Sequence, residues 1–150
     1  MTVAPAAQAS GAGLWASLFA VWLVSLIATL GSLFFSEVMG LAPCKLCWYQ
    51  RICMYPLVPI TAVALWRGEP TMTIAATPLV AVGLLVSAYH NLLYHRIIPT
   101  VLVACASDAP CTQRQIEWLR FITIPLLALT AFALCLVGLV TVVRLLPGRT

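Results

Sequence analysis

The chain has 150 residues, enough for one ordinary domain, and its composition excludes most soluble folds. Hydrophobic residues make up 63% of the sequence and charged residues 8%, whereas a typical globular protein has roughly 45–50% apolar and about 25% charged residues. The net charge of +4 is small, and no basic or polar run of the kind that binds nucleic acid or stays disordered occurs. The composition therefore predicts a protein of the lipid bilayer, with membrane lipid around it and no nucleic-acid partner.

Four apolar stretches are each long enough to cross the roughly 30 Å hydrocarbon core of a bilayer, which needs about 20 helical residues. They cover residues 14–35, 43–66, 72–94 and 118–146. Helices are the expected spanning elements, because every backbone amide and carbonyl must be paired inside lipid. We therefore predict an all-α membrane protein: a single domain over residues 1–150, built as a four-transmembrane-helix bundle with both termini on the same side.

The start of the chain and the prolines inside the apolar stretches both bear on this prediction. Residues 1–13 carry no Lys or Arg, and the stretch that follows is longer than the 7–15 apolar residues typical of a cleaved signal peptide. We interpret it as a retained first helix preceded by a loose tail. Pro56, Pro59, Pro78 and Pro125 fall within the other stretches, and we expect neighbouring helices to accommodate the kinks that they cause.

The most informative segment of the chain is P-C-K-L-C-W-Y-Q-R, residues 43–51. Its C-x-x-C pair, Cys44 and Cys47, brings two sulfurs together across one helical turn, as in redox-active disulfides and in halves of metal sites. The pair opens the second predicted helix, where the amide groups and the helix dipole stabilise a thiolate. Arg51 lies on the same face, about 6 Å deeper than Cys47, where its charge can hold an anion. Redox chemistry is favoured over metal binding, and Cys53 on the opposite face is interpreted as a packing residue.

A second cysteine pair, Cys105 and Cys111, flanks a short loop that a disulfide can close. Cys111 directly precedes T-Q-R-Q, residues 112–115, which matches the capping box that begins helices. With four spans, this pair faces the same compartment as the first pair, whichever way the protein inserts. Two pairs in one compartment suggest a relay, because thiol–disulfide exchange moves two electrons between them without a metal. A static bridge that braces the loop is the alternative.

The orientation of the bundle rests on two opposing arguments. The predicted side of the termini carries Arg67, Arg144 and Arg149, and the predicted side of the cysteines carries Lys45, Arg51, Arg96, Arg114 and Arg120. An excess of basic residues marks the cytoplasmic side and would place the cysteines there. Disulfide exchange, however, belongs outside the cytoplasm, and we favour cysteine loops that face the periplasm or the extracellular side.

Electrons collected by the cysteines need an acceptor. The sequence holds no Gly-rich nucleotide motif and no histidine pair on facing helices of the kind that binds haem. The acceptor that remains is lipid-soluble and takes two electrons: a quinone. Its binding surface should be aromatic with a few polar groups. The candidates are Trp48, Tyr49, Arg51, Tyr89, His90 and Tyr94.

The sequence resembles the DsbB/BdbC family of membrane thiol oxidoreductases over essentially its whole length. The resemblance rests on four spans, a C-x-x-C pair that opens the second, and a further cysteine pair before the fourth. The pattern P-C-x-x-C-x-Y-x-R of residues 43–51 is quite specific to this family. Residues 110–125 resemble the BdbC branch in particular, as does the six-residue step from Cys105 to Cys111.

This resemblance implies an enzyme of the bacterial cytoplasmic membrane that reoxidises a secreted, DsbA-like thioredoxin-fold oxidase. The implied acceptor is a quinone, either ubiquinone or menaquinone, and no metal is expected. By position, Cys105 receives the thiolate of the partner, and Cys111 exchanges with Cys44. Cys47 then lies against the quinone, and Arg51 favours the anionic and reduced states. The other residues assigned to the quinone site are His90, Trp48 and Tyr49.

Three other functions are compatible with parts of the pattern. One is a quinone reductase like vitamin K epoxide reductase, although in that group the C-x-x-C pair lies in the last span, where this chain has only Cys135. Another is a membrane protein that binds a metal through four thiolates. These would be Cys44, Cys47, Cys105 and Cys111. The third is a structural subunit whose disulfides only brace its loops.

Overall fold

The structure is a computed structural model that describes residues 5–95, residue 97 and residues 123–146. Within these residues the regular structure is entirely helical, which confirms the predicted all-α class. The helices are α1 (Pro5–Leu33), α2 (Lys45–Met54), α3 (Leu57–Arg67), α4 (Thr77–Tyr94) and α5 (Ile124–Leu145). A π-helical turn, Phe34–Val38, extends α1, and a 3-10 helix, Pro70–Ala76, leads into α4.

Three helical segments in the described part of the chain are long and apolar enough to cross a membrane. They are Gly11–Val38, Pro70–Tyr94 and Ile124–Leu145, and they correspond to the first, third and fourth predicted spans. The second predicted span, 43–66, is divided into α2 and α3, which have 10 and 11 residues. Each is too short to cross alone. A count of four spans therefore stays a prediction.

The division between α2 and α3 falls at Pro56. A proline inside a helix has no amide hydrogen to donate, and its ring clashes with the carbonyl four residues earlier, here that of Ile52. Tyr55 and Pro56 nevertheless keep helical backbone angles, with φ/ψ of −62°/−42° and −64°/−22°. The Ile60 amide then donates to the Pro56 carbonyl at 3.2 Å. The interruption is therefore a local kink, after which helical hydrogen bonding resumes within one turn.

The other prolines lie at helix starts and not in helix interiors. Pro59 is in the first turn of α3, and Pro78 and Pro125 occupy the first turns of α4 and α5. First-turn amides have no acceptor within the helix, so a proline costs little there. The expectation that all four prolines kink the interiors of spans is therefore wrong for these three.

Two helix ends also differ from the sequence prediction. Helix α1 already begins at Pro5, so the predicted loose tail of residues 1–13 is wrong from that residue onward. Pro5 suits a first turn, and the alanines that follow are the best helix formers. Helix α5 begins at Ile124, because Thr123 is extended, with φ −110° and ψ 153°. The predicted start of this span, residues 118–122, lies outside the described residues.

The helices pack around a core in which α5 lies against α1 and α4, α2 against α4, and α3 against α1. Cys53 and Cys135 are buried among apolar side chains of this core, as predicted for packing residues. Two glycines, Gly83 and Gly138, allow neighbouring helices to approach closely. A Cβ atom at Gly83 would collide with the Phe132 ring, and small residues of this kind let membrane helices pack tightly.

Helices α2 and α3 together run alongside α1, from its C-terminal end back to Trp15. Arg51 in α2 donates through Nη2 to the Ser32 carbonyl, close to the end of α1, at 3.0 Å. Gly68, which ends α3, lies beside Trp15 in the first half of α1: a Cβ atom at Gly68 would be 4.0 Å from Trp15 Cη2. The kinked pair α2–α3 therefore covers most of the length of α1.

Candidate functional site

Cys44 and Cys47 lie together at the start of α2, as the sequence predicts. Cys44 is the N-cap residue, with an extended backbone (φ −69°, ψ 167°), and its Sγ accepts a hydrogen bond from the Cys47 amide at 3.4 Å. The two Sγ atoms are 2.9 Å apart, and both thiols are free. A disulfide needs an S–S distance of about 2.05 Å. The pair can therefore change between dithiol and disulfide with little movement of the backbone.

His90 of α4 packs against Cys44 on the inner side of the cysteine pair. The imidazole is 2% exposed, and its Nε2 atom is 3.9 Å from Cys44 Sγ. The Gln50 amide nitrogen is 3.3 Å from His90 Nδ1. With the amide in this orientation, Nδ1 accepts the hydrogen bond and Nε2 carries the hydrogen that faces the sulfur. A thiolate at Cys44 would thus face two N–H groups, one from the Cys47 backbone and one from His90.

Apolar side chains enclose this part of the site. Cys44 forms a buried cluster with Leu46 of α2 and Leu93 of α4, and the partly buried Tyr89 packs against the cluster. Exclusion of water strengthens the interaction between a charge and the dipoles around it. The Cys44 sulfur therefore lies in surroundings where its two N–H neighbours matter more than they would in water.

A groove of about 500 Å³ lies on the other side of the pair, between α1, α2 and α5. Its volume is within the range of about 300–1,000 Å³ that is typical of small-molecule sites. Most of the lining is apolar and comes from α1 and α5. The polar and reactive side chains in the lining are Ser32, Cys47, Gln50, Arg51, Tyr55 and Thr130. Of the two cysteines, Cys47 is the one that borders this groove.

Arg51 lines both the groove and a smaller cavity of about 300 Å³, as do Leu41, Pro43 and Tyr55. Its Nη2 atom donates to the Ser32 carbonyl, and its Cζ atom lies 5.6 Å from the centre of the Trp48 ring. A guanidinium group has five N–H donors, so the bond to Ser32 leaves others for a ligand. The side chain is thus held in the groove wall beside Cys47.

The predicted aromatic residues are not all brought to the groove. Trp48 and Tyr49 are 54% and 52% exposed. Trp48 lines the smaller cavity, whereas Tyr49 lines neither of the two cavities. His90 lies against Cys44 and is not part of the groove lining. Cys105 and Cys111 lie outside the described residues.

Two residues of the site were not among the predicted ones. Gln50, 7% exposed, positions His90, and Tyr55 lines the groove with a buried hydroxyl that has no hydrogen-bond partner within the described part of the chain. A signal for Gln50 was present, because polar residues inside apolar spans are functional candidates by default. The groove walls from α1 and α5 leave no local signal, since their residues are ordinary apolar ones.

Comparison with known proteins connects this site to disulfide chemistry. Residues 15–143 match the model of the family described as "Disulfide bond formation protein DsbB". The chain is 44% identical over 122 residues to "Disulfide bond formation protein C" of Bacillus subtilis (strain 168), covering 80% of this chain and 87% of that protein. No solved structure matches the chain.

Other relatives carry similar names. A "Probable disulfide formation protein C 1" of Bacillus anthracis is 41% identical over 116 residues, which cover 77% of this chain and 84% of the relative. A "Probable disulfide formation protein" of Metapseudomonas resinovorans is 40% identical over 131 residues, which cover 87% of this chain and 91% of the relative. The similarity thus extends over most of each protein.

Proposed function

The chain belongs to the DsbB family of disulfide bond formation proteins, as its cysteine motifs predict, and from that premise we propose that it reoxidises a secreted thioredoxin-like oxidase at the expense of a membrane quinone. Family membership and three apolar helices make it a multi-pass membrane protein and a disulfide oxidoreductase. The observation that carries the proposal is the position of Cys47, which borders an apolar groove beside Arg51.

We infer a four-pass arrangement in the bacterial cytoplasmic membrane, with the cysteine loops facing outward. The kinked pair α2–α3 would supply the fourth pass, since it lies alongside the Gly11–Val38 segment from Ser32 back to Trp15. Both termini then lie on the cytoplasmic side. The short lengths of α2 and α3 are no obstacle, because residues 45–67 together exceed the roughly 20 needed to cross a bilayer.

The proposed relay consists of disulfide exchanges, each of which breaks one S–S bond and forms another. A thiolate of the partner attacks Cys105 in a Cys105–Cys111 disulfide, and Cys111 leaves. Cys111 then attacks Cys44 in a Cys44–Cys47 disulfide, so that Cys47 is released as a thiolate at the groove. The second thiolate of the partner then attacks the mixed disulfide and releases Cys105 as a thiolate. Cys105 attacks Cys111 in the Cys111–Cys44 disulfide, and Cys44 leaves as a thiolate in turn. The partner has then lost two electrons, which Cys44 and Cys47 hold.

His90 and the Cys47 amide support the step in which Cys44 leaves. The Cys47 amide faces the Cys44 sulfur, and so does an N–H of His90 when His90 Nδ1 accepts from Gln50. Hydrogen bonds to a charged group contribute about 1.5–3 kcal/mol each at good geometry. The 3.9 Å distance from His90 is long for such a bond, so its share falls at or below the lower end. The exchange that restores the outer pair is therefore favoured by groups that are already in place.

The groove has the properties that a quinone site needs. Its lining is mainly apolar, and exposed apolar side chains at its edge, among them Ile27 and Leu134, would let a lipid-soluble molecule enter from the membrane. Arg51 and the Tyr55 hydroxyl, which has no hydrogen-bond partner among the described residues, are candidate donors to carbonyl oxygens. A quinone supplies an acceptor for two electrons and two protons. Cys47 lines the groove and is the sulfur placed to deliver the electrons as the Cys44–Cys47 disulfide re-forms.

The test of this function is a turnover assay with purified protein, a reduced thioredoxin-like oxidase and a soluble quinone, followed by the loss of quinone absorbance. We expect quinone reduction to match oxidation of the partner mole for mole. Cys44→Ala and Cys47→Ala should abolish turnover, whereas Cys53→Ala, a cysteine of the core, should retain it. Wild-type turnover by Cys47→Ala would refute the relay. Faster reduction of a quinone epoxide than of the quinone would point instead to a reductase of the vitamin K epoxide reductase type.

A further inference from the structure

Three groups that bind soft metal ions converge at the start of α2. The Sγ atoms of Cys44 and Cys47 and a ring nitrogen of His90 all lie within 4.8 Å of one another. Cys44 and His90 are buried, and Cys47 is partly buried. Two thiolates and one imidazole are a ligand set that zinc accepts in proteins. The convergence depends on the packing of α4 against α2, because His90 is 43 residues beyond Cys47 in the chain.

We propose that the reduced protein binds one thiophilic divalent metal ion through Cys44, Cys47 and His90. Thiolate and imidazole ligands select Zn²⁺ and similar soft or borderline ions, whereas Mg²⁺ and Ca²⁺ prefer oxygen ligands. Three protein ligands leave one position of a tetrahedral ion for water or a small anion. The binding itself does not depend on the proposed electron acceptor. Its consequence for turnover does rest on the proposed relay.

The distances fit such an ion after a small adjustment. Zinc–sulfur bonds of about 2.3 Å and zinc–nitrogen bonds of about 2.0–2.1 Å imply ligand separations of about 3.8 Å between sulfurs and about 3.6 Å between sulfur and nitrogen. The observed separations are 2.9 Å between the sulfurs and 3.9 Å between Cys44 Sγ and His90 Nε2. Rotation of the half-buried Cys47 side chain can open the first distance without moving the helix.

Gln50 can hold His90 in the form that a metal requires. An imidazole that binds a metal through Nε2 carries its hydrogen on Nδ1 and donates it to a neighbouring group. Gln50 is 3.3 Å from Nδ1, and rotation of its amide by half a turn replaces the nitrogen with the oxygen at nearly the same position. Nδ1–H then donates to Gln50, and the lone pair of Nε2 faces the sulfurs.

The site exists only in the reduced protein. Binding of a divalent ion to two thiols releases two protons to solvent and consumes no oxidant, and the two thiolates balance the charge of the ion. Sulfurs joined in a disulfide are no longer thiolates and do not bind in this way. The metal therefore holds Cys44 and Cys47 in the reduced state, which would stop the proposed relay until the ion is removed.

The test uses Co²⁺ as a spectroscopic probe for the full chain in detergent, reduced and freed of reductant under argon. Thiolate-to-cobalt charge-transfer absorption should rise until one Co²⁺ ion is bound per chain. Added Zn²⁺ should displace the Co²⁺ and remove the absorption. The oxidised protein should show no such absorption. Cys44→Ala or Cys47→Ala should remove it. His90→Ala should weaken binding by at least about 10–100-fold, the loss seen when only an outer-shell partner of a ligand is removed. His95→Ala is the matched control, because His95 is exposed at the end of α4, and it should bind like the wild type.

Further variants separate this site from its alternatives. The double variant Cys105→Ala/Cys111→Ala should keep full binding, and loss of binding there would overturn the proposal in favour of a four-thiolate site. His90→Cys, which supplies a third thiolate, should restore the binding that His90→Ala loses. Equal affinity of His90→Ala and the wild type would also overturn the proposal. Because no partner or quinone is present, cobalt binding can fail while quinone reduction persists, or the reverse, so that the two proposals fail separately.

Discussion

One neighbour of the Cys44 sulfur is close to it in the sequence and the other is far away. The Cys47 amide is a local contact, which follows from the N-cap position and the C-x-x-C spacing. His90 comes from α4, 46 residues away, and Gln50 orients its ring. The motif alone therefore accounts for one of the two groups that stabilise a thiolate at this sulfur, and packing of α4 against α2 accounts for the other.

At a pH below the pKa of the Cys44 thiol, where the thiolate fraction limits the rate, replacement of His90 by leucine should slow the reaction of reduced Cys44 with iodoacetamide. The change removes one N–H from the thiolate, and about 0.5–1.5 kcal/mol for that bond corresponds to roughly a twofold to tenfold loss of rate. Alkylation at a fixed pH, with the modified site identified by mass spectrometry, measures it. His95→Leu is the matched control and should react like the wild type. Equal rates for His90→Leu and His95→Leu would show that His90 does not affect the reactivity of Cys44.

Replacement of Arg51 by methionine should raise the apparent KM for quinone about tenfold or more. The change removes a charged donor from the groove wall, and hydrogen bonds to charged groups contribute about 1.5–3 kcal/mol. The KM of Arg51→Lys should fall between that of the wild type and that of Arg51→Met, because lysine keeps the charge but loses the planar arrangement of donors. Initial rates against quinone concentration measure the effect. Arg67→Met, at the far end of α3, should leave KM unchanged; a KM shift equal to that of Arg51→Met would show a general loss of structure.

At the scale of helices, a side chain joins the end of α4 to the start of α5. Asn91 Nδ2 donates to the Ser87 carbonyl at 3.1 Å and to the Pro125 carbonyl at 2.7 Å. Asn91 directly follows His90, and Ile124, beside Pro125, lines the groove. Asn91 therefore links α4, which carries His90, to α5, which forms one wall of the groove.

Asn91→Leu should lower the free energy of unfolding by about 0.6–2 kcal/mol, the range of interhelical hydrogen bonds in membrane proteins. The variant keeps a similar volume but removes the hydrogen bond from α4 to the Pro125 carbonyl of α5. Reversible unfolding in mixed detergent micelles measures the difference. Thr141→Val is the control, because that exposed hydroxyl bonds only to its own helix, at Val137, and should change stability little. If Asn91→Leu is as stable as the control, the hydrogen bond from Asn91 to the Pro125 carbonyl contributes nothing to the free energy of unfolding.

At the scale of the whole molecule, close packing between helices depends on small residues. Gly83 of α4 faces the buried Phe132 ring of α5, with no room for a Cβ atom. Gly138 of α5 stands in the same relation to the Val21 side chain of α1. The bundle is therefore held at two contacts where a methyl group would force α5 away from a neighbouring helix.

Gly83→Ala should destabilise the protein by about 1–3 kcal/mol, the usual cost of overpacking a core. Because α4 carries His90 and α5 carries groove residues, quinone turnover should fall with stability. Unfolding in mixed micelles and the turnover assay measure the two effects. Gly11→Ala is the control, since a Cβ atom there meets nothing within 4 Å, and it should be neutral or stabilising. Unchanged stability of Gly83→Ala would mean that α4 and α5 separate at little cost.

The orientation of the whole molecule has its own test. After mild reduction of intact cells, a membrane-impermeant thiol reagent should label Cys105 and Cys111, because we place both loops with cysteines outside the cytoplasm. Labelling in opened vesicles provides the total. Protection in intact cells, with full labelling in opened ones, would instead support the excess of basic residues on the cysteine side.

Composition and short-range spacing decide a large part of this protein. A chain with 8% charged residues cannot cover a soluble surface, and its continuous apolar stretches of about 20 residues then predict spanning helices. The C-x-x-C spacing and its position before α2 place the two sulfurs together, because three residues make nearly one helical turn. These features depend on the nearest few residues and on the solvent, so the sequence shows them directly.

The tertiary structure alone decided which distant groups meet. The kink at Pro56 left Tyr55 in the groove wall, while packing of α4 against α2 brought His90 to Cys44. The groove formed where apolar residues of α1 and α5 meet α2, and such residues carry no mark that separates groove wall from core. Their arrangement depends on the fit of side chains between helices far apart in the chain, where a single methyl group at Gly83 matters. The local periodicity of the sequence therefore does not predict how these side chains fit together.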